Sequence, residues 1–162
     1  AQHGSRERLA QNGVHIIPYS TEKNMSDMEI ALALALEKRA ATLLVHGAMG
    51  NRLDHTLANV QLFAAAAASG TVIRSFAPGR EMLFAAQVFS AQARRGLTVS
   101  LLPLTDIRVL SSRGLQYPPD GLSIPQSSSR SISNIAINDH IEITLESGRA
   151  ALLIHEVDHG TS

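Results

Sequence analysis

Cysteine and tryptophan are absent from this 162-residue chain, and aromatic residues make up only 4% of it. The lack of cysteine removes any disulfide framework or thiolate metal site, and it is consistent with a reducing cytoplasm. Net charge is also absent, because Lys plus Arg and Asp plus Glu number 14 each, so no overall field attracts nucleic acid. The longest apolar runs, residues 30–36 and 62–68, are far shorter than the roughly 18 to 20 residues that cross a bilayer.

We therefore expect a soluble, cytoplasmic protein that binds neither nucleic acid nor a membrane and whose function depends on local sites. No basic and apolar leader opens the chain, and Ala1 is not an initiator methionine, so we also expect further sequence upstream.

The first half alternates strand and helix patterns. Residues 14–17 are rich in β-branched side chains and predict a short strand, while residues 26–29 have the S-x-x-E form of a capping box and predict a helix. Residues 42–45 form a continuous apolar run, as expected of a parallel strand covered on both faces. Helical spacing follows at Leu57, Val60, Ala64 and Ala67, and residues 72–76 read as another strand. This order predicts an α/β unit with a doubly wound parallel sheet.

The second half lacks sustained helical periodicity and instead carries short runs rich in Val, Ile, Leu and Thr between glycine turns. Residues 140–146 alternate cleanly between apolar and polar side chains. Such strands predict an antiparallel β-sandwich. We place the boundary near Pro78, giving an α/β domain at residues 1–78 and a sandwich at 79–162. Residues 127–131 are either a disordered serine-rich loop or a loop that delivers hydroxyls to a ligand.

A polar cluster follows the predicted strand at residues 42–45. Gly47 and Gly50 would let the backbone approach an anion at a helix start, and Asn51 tolerates left-handed backbone. Arg52 can fork onto phosphate oxygens, and Asp54 can take a magnesium ion or a hydroxyl proton. The turn lacks the G-K-[ST] of a P-loop, so two interpretations stay open. It is either a phosphate and metal site or a salt-bridged helix start with Asp54 as its N-cap.

A second polar cluster precedes the helix at Asp27 and comprises residues 22–24. The helix dipole alone would favour a carboxylate at Asp27. However, both clusters follow predicted strands of one sheet, so they could also face one cleft.

Two histidine patterns allow rival interpretations. The stretch His155-Glu156-Val157-Asp158-His159 matches the H-E-x-x-H zinc protease motif. That chemistry needs both histidines on one helical face, whereas residues 150–154 read as a strand, so a solvated chain end is preferred to a zinc hydrolase. His46 and His55 flank the glycine turn as a conceivable metal pair, and hydrogen-bonded structural histidines are the preferred alternative.

Three stretches together resemble the thiamin pyrophosphokinase family. They are EKNMSDMEIALALAL at residues 22–36, GAMGNRLDHTLANVQL at 47–62, and GLQYPPDG at 114–121 followed by SISN at 131–134. The second stretch is the most specific. The resemblance implies an α/β domain joined to a β-sandwich, paired as a homodimer with thiamin held between the α/β domain of one subunit and the sandwich of the other. It also implies magnesium-dependent transfer of a pyrophosphoryl group from ATP to thiamin.

The resemblance further implies roles for individual residues. Asp27, Arg52 and Asp54 would be catalytic, with Asp27 and Asp54 also holding Mg²⁺. ATP would be bound by Lys23, Asn24, Gly47, Gly50, Asn51 and Arg52, and thiamin by His55, Asn59, Tyr117, Ser133 and Asn134. The flat ring of Tyr117 suits a cationic heterocycle.

The sequence also departs from the family pattern. The family ordinarily has a Gly-Asp-x-Asp-Ser segment, whose aspartates would be principal magnesium ligands, before the first helix, and this sequence has none. Asn24 stands where an acidic residue is usual, which implies weaker metal binding. The alternative is therefore a non-catalytic module that binds a nucleotide or thiamin.

Overall fold

The computed structural model of the chain describes residues 2–18 and 25–155. Its helices are α1 (Gln2–Gln11), α2 (Asp27–Glu37) and α3 (Leu53–Ala67). Helix α2 begins where the capping box predicts, because the Ser26 hydroxyl accepts a hydrogen bond from the Glu29 backbone N–H at 3.2 Å. Within the described residues, no helix combines the length and hydropathy needed to span a membrane.

The strands form two sheets. Their bounds are β1 (Thr42–His46), β2 (Val72–Ala77), β3 (Arg80–Phe84), β4 (Val88–Gln92), β5 (Thr98–Pro103), β6 (Ile107–Arg113), β7 (Ser123–Ile124), β8 (Asn134–Ile135), β9 (His140–Ser147) and β10 (Ala150–His155). A six-stranded sheet has the order β1-β2-β3-β10-β5-β8, and a four-stranded sheet has the order β4-β9-β6-β7.

The fold class is confirmed as α/β with a sandwich-like second part. Strands β1 and β2 pair in parallel, with Thr42 opposite Val72, and the remaining strand pairs of the described chain are antiparallel. Strand β9 alternates as predicted, with Ile141, Ile143 and Leu145 buried. The sandwich core lies between the two sheets, where apolar side chains from β5, β6, β9 and β10 meet.

The strand predicted at residues 14–17 is wrong. Those residues follow the turn that closes α1 at Gly13, and they pair with no strand of the described chain. Their apolar side chains are partly exposed, with Val14 at 46% and Ile17 at 51%. β-Branched residues favour extended backbone, but a strand also needs a neighbouring backbone to receive its N–H and C=O groups.

Helix α3 packs on one face of the six-stranded sheet. Phe63 and Phe84 are fully buried there, and their rings meet edge to face with centroids 5.6 Å apart. The buried stripe of α3 comprises Asn59, Val60, Phe63, Ala64 and Ala67. Leu57, which the sequence pattern placed on this stripe, is instead 58% exposed.

The larger sheet continues past Pro78. Strands β2 and β3 flank this proline and pair antiparallel, and β10 then joins β3 to β5. Across the turn, Arg74 Nε donates to Glu81 Oε1 at 2.6 Å. The domain boundary near Pro78 stays a prediction, and it falls in a turn within one continuous sheet.

Candidate active site

A cavity of about 760 Å³, here called the α/β cleft, lies where β1 ends and helices α2 and α3 begin. Most of the predicted catalytic and nucleotide-binding residues line it, together with two residues predicted to bind substrate. These are Asp27, Gly47, Gly50, Asn51, Arg52, Asp54, His55 and Asn59. The structure therefore brings Asp27 together with the polar cluster of the glycine turn, whereas residue 22 of the second cluster lies outside the described residues. Lys23 and Asn24 lie outside the described residues.

The helix starts give the α/β cleft its positive backbone potential. Asp27 lies in the first turn of α2 and Asp54 in the first turn of α3, where unpaired N–H groups favour negative charge. Gly47 leaves β1 with a φ of 78°, a left-handed backbone conformation that glycine adopts without steric cost. The chain can therefore turn at Gly47 from the end of β1 toward the first residues of the helices.

Asn59 holds the glycine turn from beneath. Its side chain is buried, and its Nδ2 donates to the Ala48 carbonyl at 2.9 Å. A buried carbonyl needs such a partner, because an unpaired one costs about 1–3 kcal/mol. This hydrogen bond directs the amide nitrogen of Asn59 to the turn, and its predicted contact with the substrate stays a prediction.

Arg52 and Asp54 form an ion pair in the cleft. Arg52 Nη2 lies 2.6 Å from Asp54 Oδ2, and Nε donates to Oδ1 at 3.3 Å. The Arg52 guanidinium lowers the pKa of Asp54 chiefly through this side-chain hydrogen bond, and Asp54 raises the pKa of Arg52. Both side chains are largely exposed, so each can exchange its partner for a ligand with little burial to overcome.

The alternative interpretation of this turn, a salt-bridged helix start with Asp54 as its N-cap, is confirmed in one part and wrong in the other. The salt bridge it predicted is present, but the N-cap of α3 is Arg52 rather than Asp54. Asp54 lies inside the first turn, and the cap position has no side-chain hydrogen bond.

The carboxylates of the cleft fit magnesium better than zinc. Asp27 and Asp54 both line the cleft, and Mg²⁺ is commonly bound by one or two carboxylates plus substrate phosphates and water. Within the described chain, no group of three or more His, Cys, Asp or Glu side chains is arranged for a metal ion. Of the described residues in the cleft lining, Asp27 and Asp54 are the carboxylates that could contribute to such a site.

The histidine alternatives lose support where the structure describes them. The His46 ring stacks on Phe76 with centroids 5.2 Å apart, whereas His55 lines the cleft. His155 ends strand β10 rather than lying on a helix, and Glu156, Val157, Asp158 and His159 lie outside the described residues.

A second cavity of about 280 Å³, here called the sandwich pocket, opens in the second half of the chain. Tyr117, Ser133 and Asn134, three of the residues that the resemblance assigns to thiamin, line this pocket together. Its other walls are Val99, Leu101, Leu115, Pro118, Pro119, Leu122, Ile124, Arg130, Ser131, Ile132 and Ile143. Val99, Leu101, Leu122, Ile124 and Ile143 lie outside the stretches that carry the family resemblance, because these residues come from separate segments whose spacing carries no common pattern.

Hydrogen bonds hold the serine-rich loop at residues 127–131, which lies beside this pocket. Ser128 Oγ accepts from the Arg130 N–H at 3.1 Å, and the buried Ser131 donates to the Leu101 carbonyl at 2.7 Å. Next to it, Ser133 has a φ of 59° and donates its N–H to Ser100 Oγ at 3.0 Å. A left-handed serine is uncommon, and such backbone is frequent at ligand sites.

Two family models match the chain. The model described as thiamin pyrophosphokinase, catalytic domain, matches residues 2–74, and the one described as thiamin pyrophosphokinase, vitamin B1 binding domain, matches residues 88–150. The chain is also 29% identical over 143 residues to a thiamine pyrophosphokinase from Bacillus subtilis (strain 168). That match covers 82% of this chain and 64% of the relative, so the chain spans less than two thirds of the relative's length.

Solved structures show the same fold. The B. subtilis thiamine pyrophosphokinase structure superposes with a TM-score of 0.80 at 23% identity, covering 96% of this chain and 73% of that one. The thiamin pyrophosphokinase from Geobacillus thermodenitrificans gives 0.77 at 24% identity, with coverages of 97% and 74%. The Candida albicans enzyme gives 0.73 at 14%, with coverages of 94% and 68%. Since the two family models together match most of its residues, the chain belongs to the thiamin pyrophosphokinase family.

Proposed function

We propose that this chain acts as an ATP:thiamin pyrophosphotransferase. The observation that carries the proposal is the meeting of Asp27, Arg52 and Asp54 in one cleft at two helix starts. One guanidinium and two carboxylates beside glycine-turn backbone are the groups that a metal-bound triphosphate requires. The sandwich pocket supplies a separate, smaller site for the acceptor alcohol.

The Arg52–Asp54 pair supports a role in ligand exchange. In the absence of a ligand, the two side chains neutralise each other. In the proposed complex, Arg52 would turn to the phosphate oxygens, while Asp54 and Asp27 would hold Mg²⁺. A bound Mg²⁺ ion would neutralise negative charge on the phosphate groups of ATP. An aspartate carboxyl with its usual pKa of about 4 is ionised throughout the neutral range, so Asp54 can bind the metal after Arg52 has turned away.

The proposed reaction moves an intact pyrophosphoryl group. The hydroxyethyl oxygen of thiamin attacks the β-phosphorus of ATP, and the bond from that phosphorus to the α-phosphate oxygen breaks. The products are thiamin diphosphate and AMP, and the hydroxyl proton goes to a carboxylate of the cleft or to water. The protein mainly aligns the alcohol with phosphorus and balances charge.

The two cavities support a homodimer. No residue of the described chain lines both the α/β cleft and the sandwich pocket. We propose that the pocket of one subunit faces the cleft of its partner, so that thiamin and ATP meet at the interface. We propose a cytoplasmic location on the absence of cysteine.

The direct test is thiamin-dependent release of AMP from ATP by the complete protein in the presence of Mg²⁺. We expect AMP and thiamin diphosphate in equal amounts, and a loss of about 100-fold or more in the Asp54→Ala variant. Asp139→Ala is a matched control, because Asp139 is exposed and lines neither cavity.

Two outcomes would contradict the proposal. Binding of thiamin and ATP without AMP release would identify the non-catalytic module instead. Full activity of Asp54→Ala alongside an active wild type would remove Asp54 from the mechanism.

A further inference from the structure

The carboxamide of Asn134 is engaged by the protein itself. Its Oδ1 accepts from the backbone N–H groups of Tyr117 at 3.1 Å and Ile135 at 2.9 Å. Its Nδ2 donates to the Tyr117 carbonyl at 2.6 Å. Both backbone polar groups of Tyr117 therefore bond to one side chain, and both lone pairs of the Asn134 oxygen are occupied.

The Asn134 side chain continues a backbone pairing that begins at Leu115 and Ala136. Leu115 and Ala136 form an antiparallel bridge, and the Gln116 N–H donates to the Ile135 carbonyl at 2.9 Å. At the next position, the Asn134 amide replaces a backbone partner for Tyr117. Pro118 and Pro119 follow, and neither has an N–H group with which to continue the pairing. The amide therefore fixes the last backbone position before the chain turns along the pocket.

Among the described residues that line the sandwich pocket, Tyr117 carries the only aromatic ring. Tyr117 is 62% exposed, and its hydroxyl accepts from Gln116 Nε2 at 3.1 Å. Because Tyr117 is mostly exposed, the direction of its ring depends largely on the backbone position that Asn134 sets. An aromatic face oriented before binding loses less entropy when it meets a flat cationic ring.

We propose that Asn134 is a positioning residue that orients Tyr117 over the ring of the bound ligand. This inference rests on the proposed function for the identity of the ligand, thiamin. It differs from a direct contact between Asn134 and thiamin, because the effect of Asn134 then requires Tyr117.

A double-mutant cycle separates the two roles. Thiamin affinity is measured by calorimetry on the wild type, Asn134→Ala, Tyr117→Ala and the double variant. We expect Asn134→Ala to weaken thiamin binding about tenfold in the wild type and less than about twofold in the Tyr117→Ala background. Independent effects, with Asn134→Ala costing the same factor in both backgrounds, would overturn the proposal.

The chain also offers a spectroscopic test that needs no ligand. It has two tyrosines and no tryptophan, so Tyr19→Phe leaves Tyr117 as the single fluorophore. In that background, Asn134→Ala should lower the fluorescence anisotropy of Tyr117, because the backbone restraint is lost. Asn134→Asp retains the size and the acceptor but removes the donor to the Tyr117 carbonyl, and it should lower the anisotropy less. Gln116→Ala is the matched control, since it removes only the contact to the phenol hydroxyl.

The outcomes distinguish the two proposals. Unchanged anisotropy in both Asn134 variants would overturn the positioning role and leave the proposed function intact. A wild type that does not bind thiamin would overturn the proposed function, and with it the ligand named here.

Discussion

The α/β cleft and the sandwich pocket differ in how their polar groups are satisfied. In the cleft, Arg52 and Asp54 are exposed and bonded to each other. In the pocket, Ser131 and Asn134 are bonded to backbone groups, and much of the wall is apolar. Exposed charges can exchange partners with a charged ligand, whereas a backbone-bonded pocket keeps its shape. The contrast suits the two ligands proposed above, a metal-bound triphosphate for the cleft and a flat cationic ring for the pocket.

The largest effects should come from the two cores, which the continuous sheet joins. Phe63 on the buried face of α3 and Phe89 in the sandwich are both fully buried. Changing either to alanine should reduce the free energy of unfolding by about 3–5 kcal/mol. Because β3 and β10 link the halves, we expect urea unfolding of both variants to remain a single transition. A separate early transition in Phe63→Ala would instead support independent domains divided near Pro78.

The ion pair that crosses the β2–β3 turn should contribute more than one on the sandwich surface. Arg74 and Glu81 side chains are 30% and 15% exposed, whereas Arg108 and Glu146 are 50% and 54% exposed. Arg74→Ala leaves a poorly solvated carboxylate unpaired and should cost about 1–3 kcal/mol. Arg108→Ala, the matched control, should cost about 0–1 kcal/mol. Equal losses in thermal unfolding would refute this difference.

Two buried serines provide a smaller contrast. The Ser75 hydroxyl is fully buried and lacks a hydrogen-bond partner in the described structure, whereas Ser131 donates to Leu101. Ser75→Ala should be neutral or stabilise the fold by up to about 1 kcal/mol, and Ser131→Ala should cost about 1–2 kcal/mol. Denaturant titration checks both, and a clear loss in Ser75→Ala would reveal a partner for its hydroxyl.

The smallest effect on stability should come from the exposed pair in the cleft. Arg52→Gln should raise the pKa of Asp54 toward its usual range, which carboxyl NMR titration measures, with Arg95→Gln as the control. The sign follows from the lowered pKa in the folded state. Any stability from the pair is present above the unfolded-state pKa and lost as pH falls through the folded-state pKa. An unchanged Asp54 titration in Arg52→Gln would show that the pair does not form in solution.

Local signals predicted the parts of the fold that local physics determines. The capping box at Ser26 set the start of α2, and the alternation of residues 140–146 set β9. Both depend on residues a few positions apart. The prediction at residues 14–17 failed because strand formation requires a partner that the short pattern cannot reveal.

Local sequence patterns could not predict contacts between residues that are far apart in the chain. The pairing of β10 with β3 brings residue 152 beside residue 83 and makes one sheet of the two halves. The cleft residues were predictable because glycine turns and helix starts mark them in sequence. The side-chain clamp of Asn134 on Tyr117 spans 17 positions and has no periodic signal.

The effect of Mg²⁺ on ATP affinity, measured by calorimetry in the wild type, Asp27→Asn and Asp54→Asn, tests whether the cleft binds a metal-bound triphosphate. If these carboxylates hold a metal-bound triphosphate, Mg²⁺ should strengthen ATP binding in the wild type. Each substitution should reduce that gain by about tenfold, as expected for one charged contact. An undiminished gain in both variants would contradict the account.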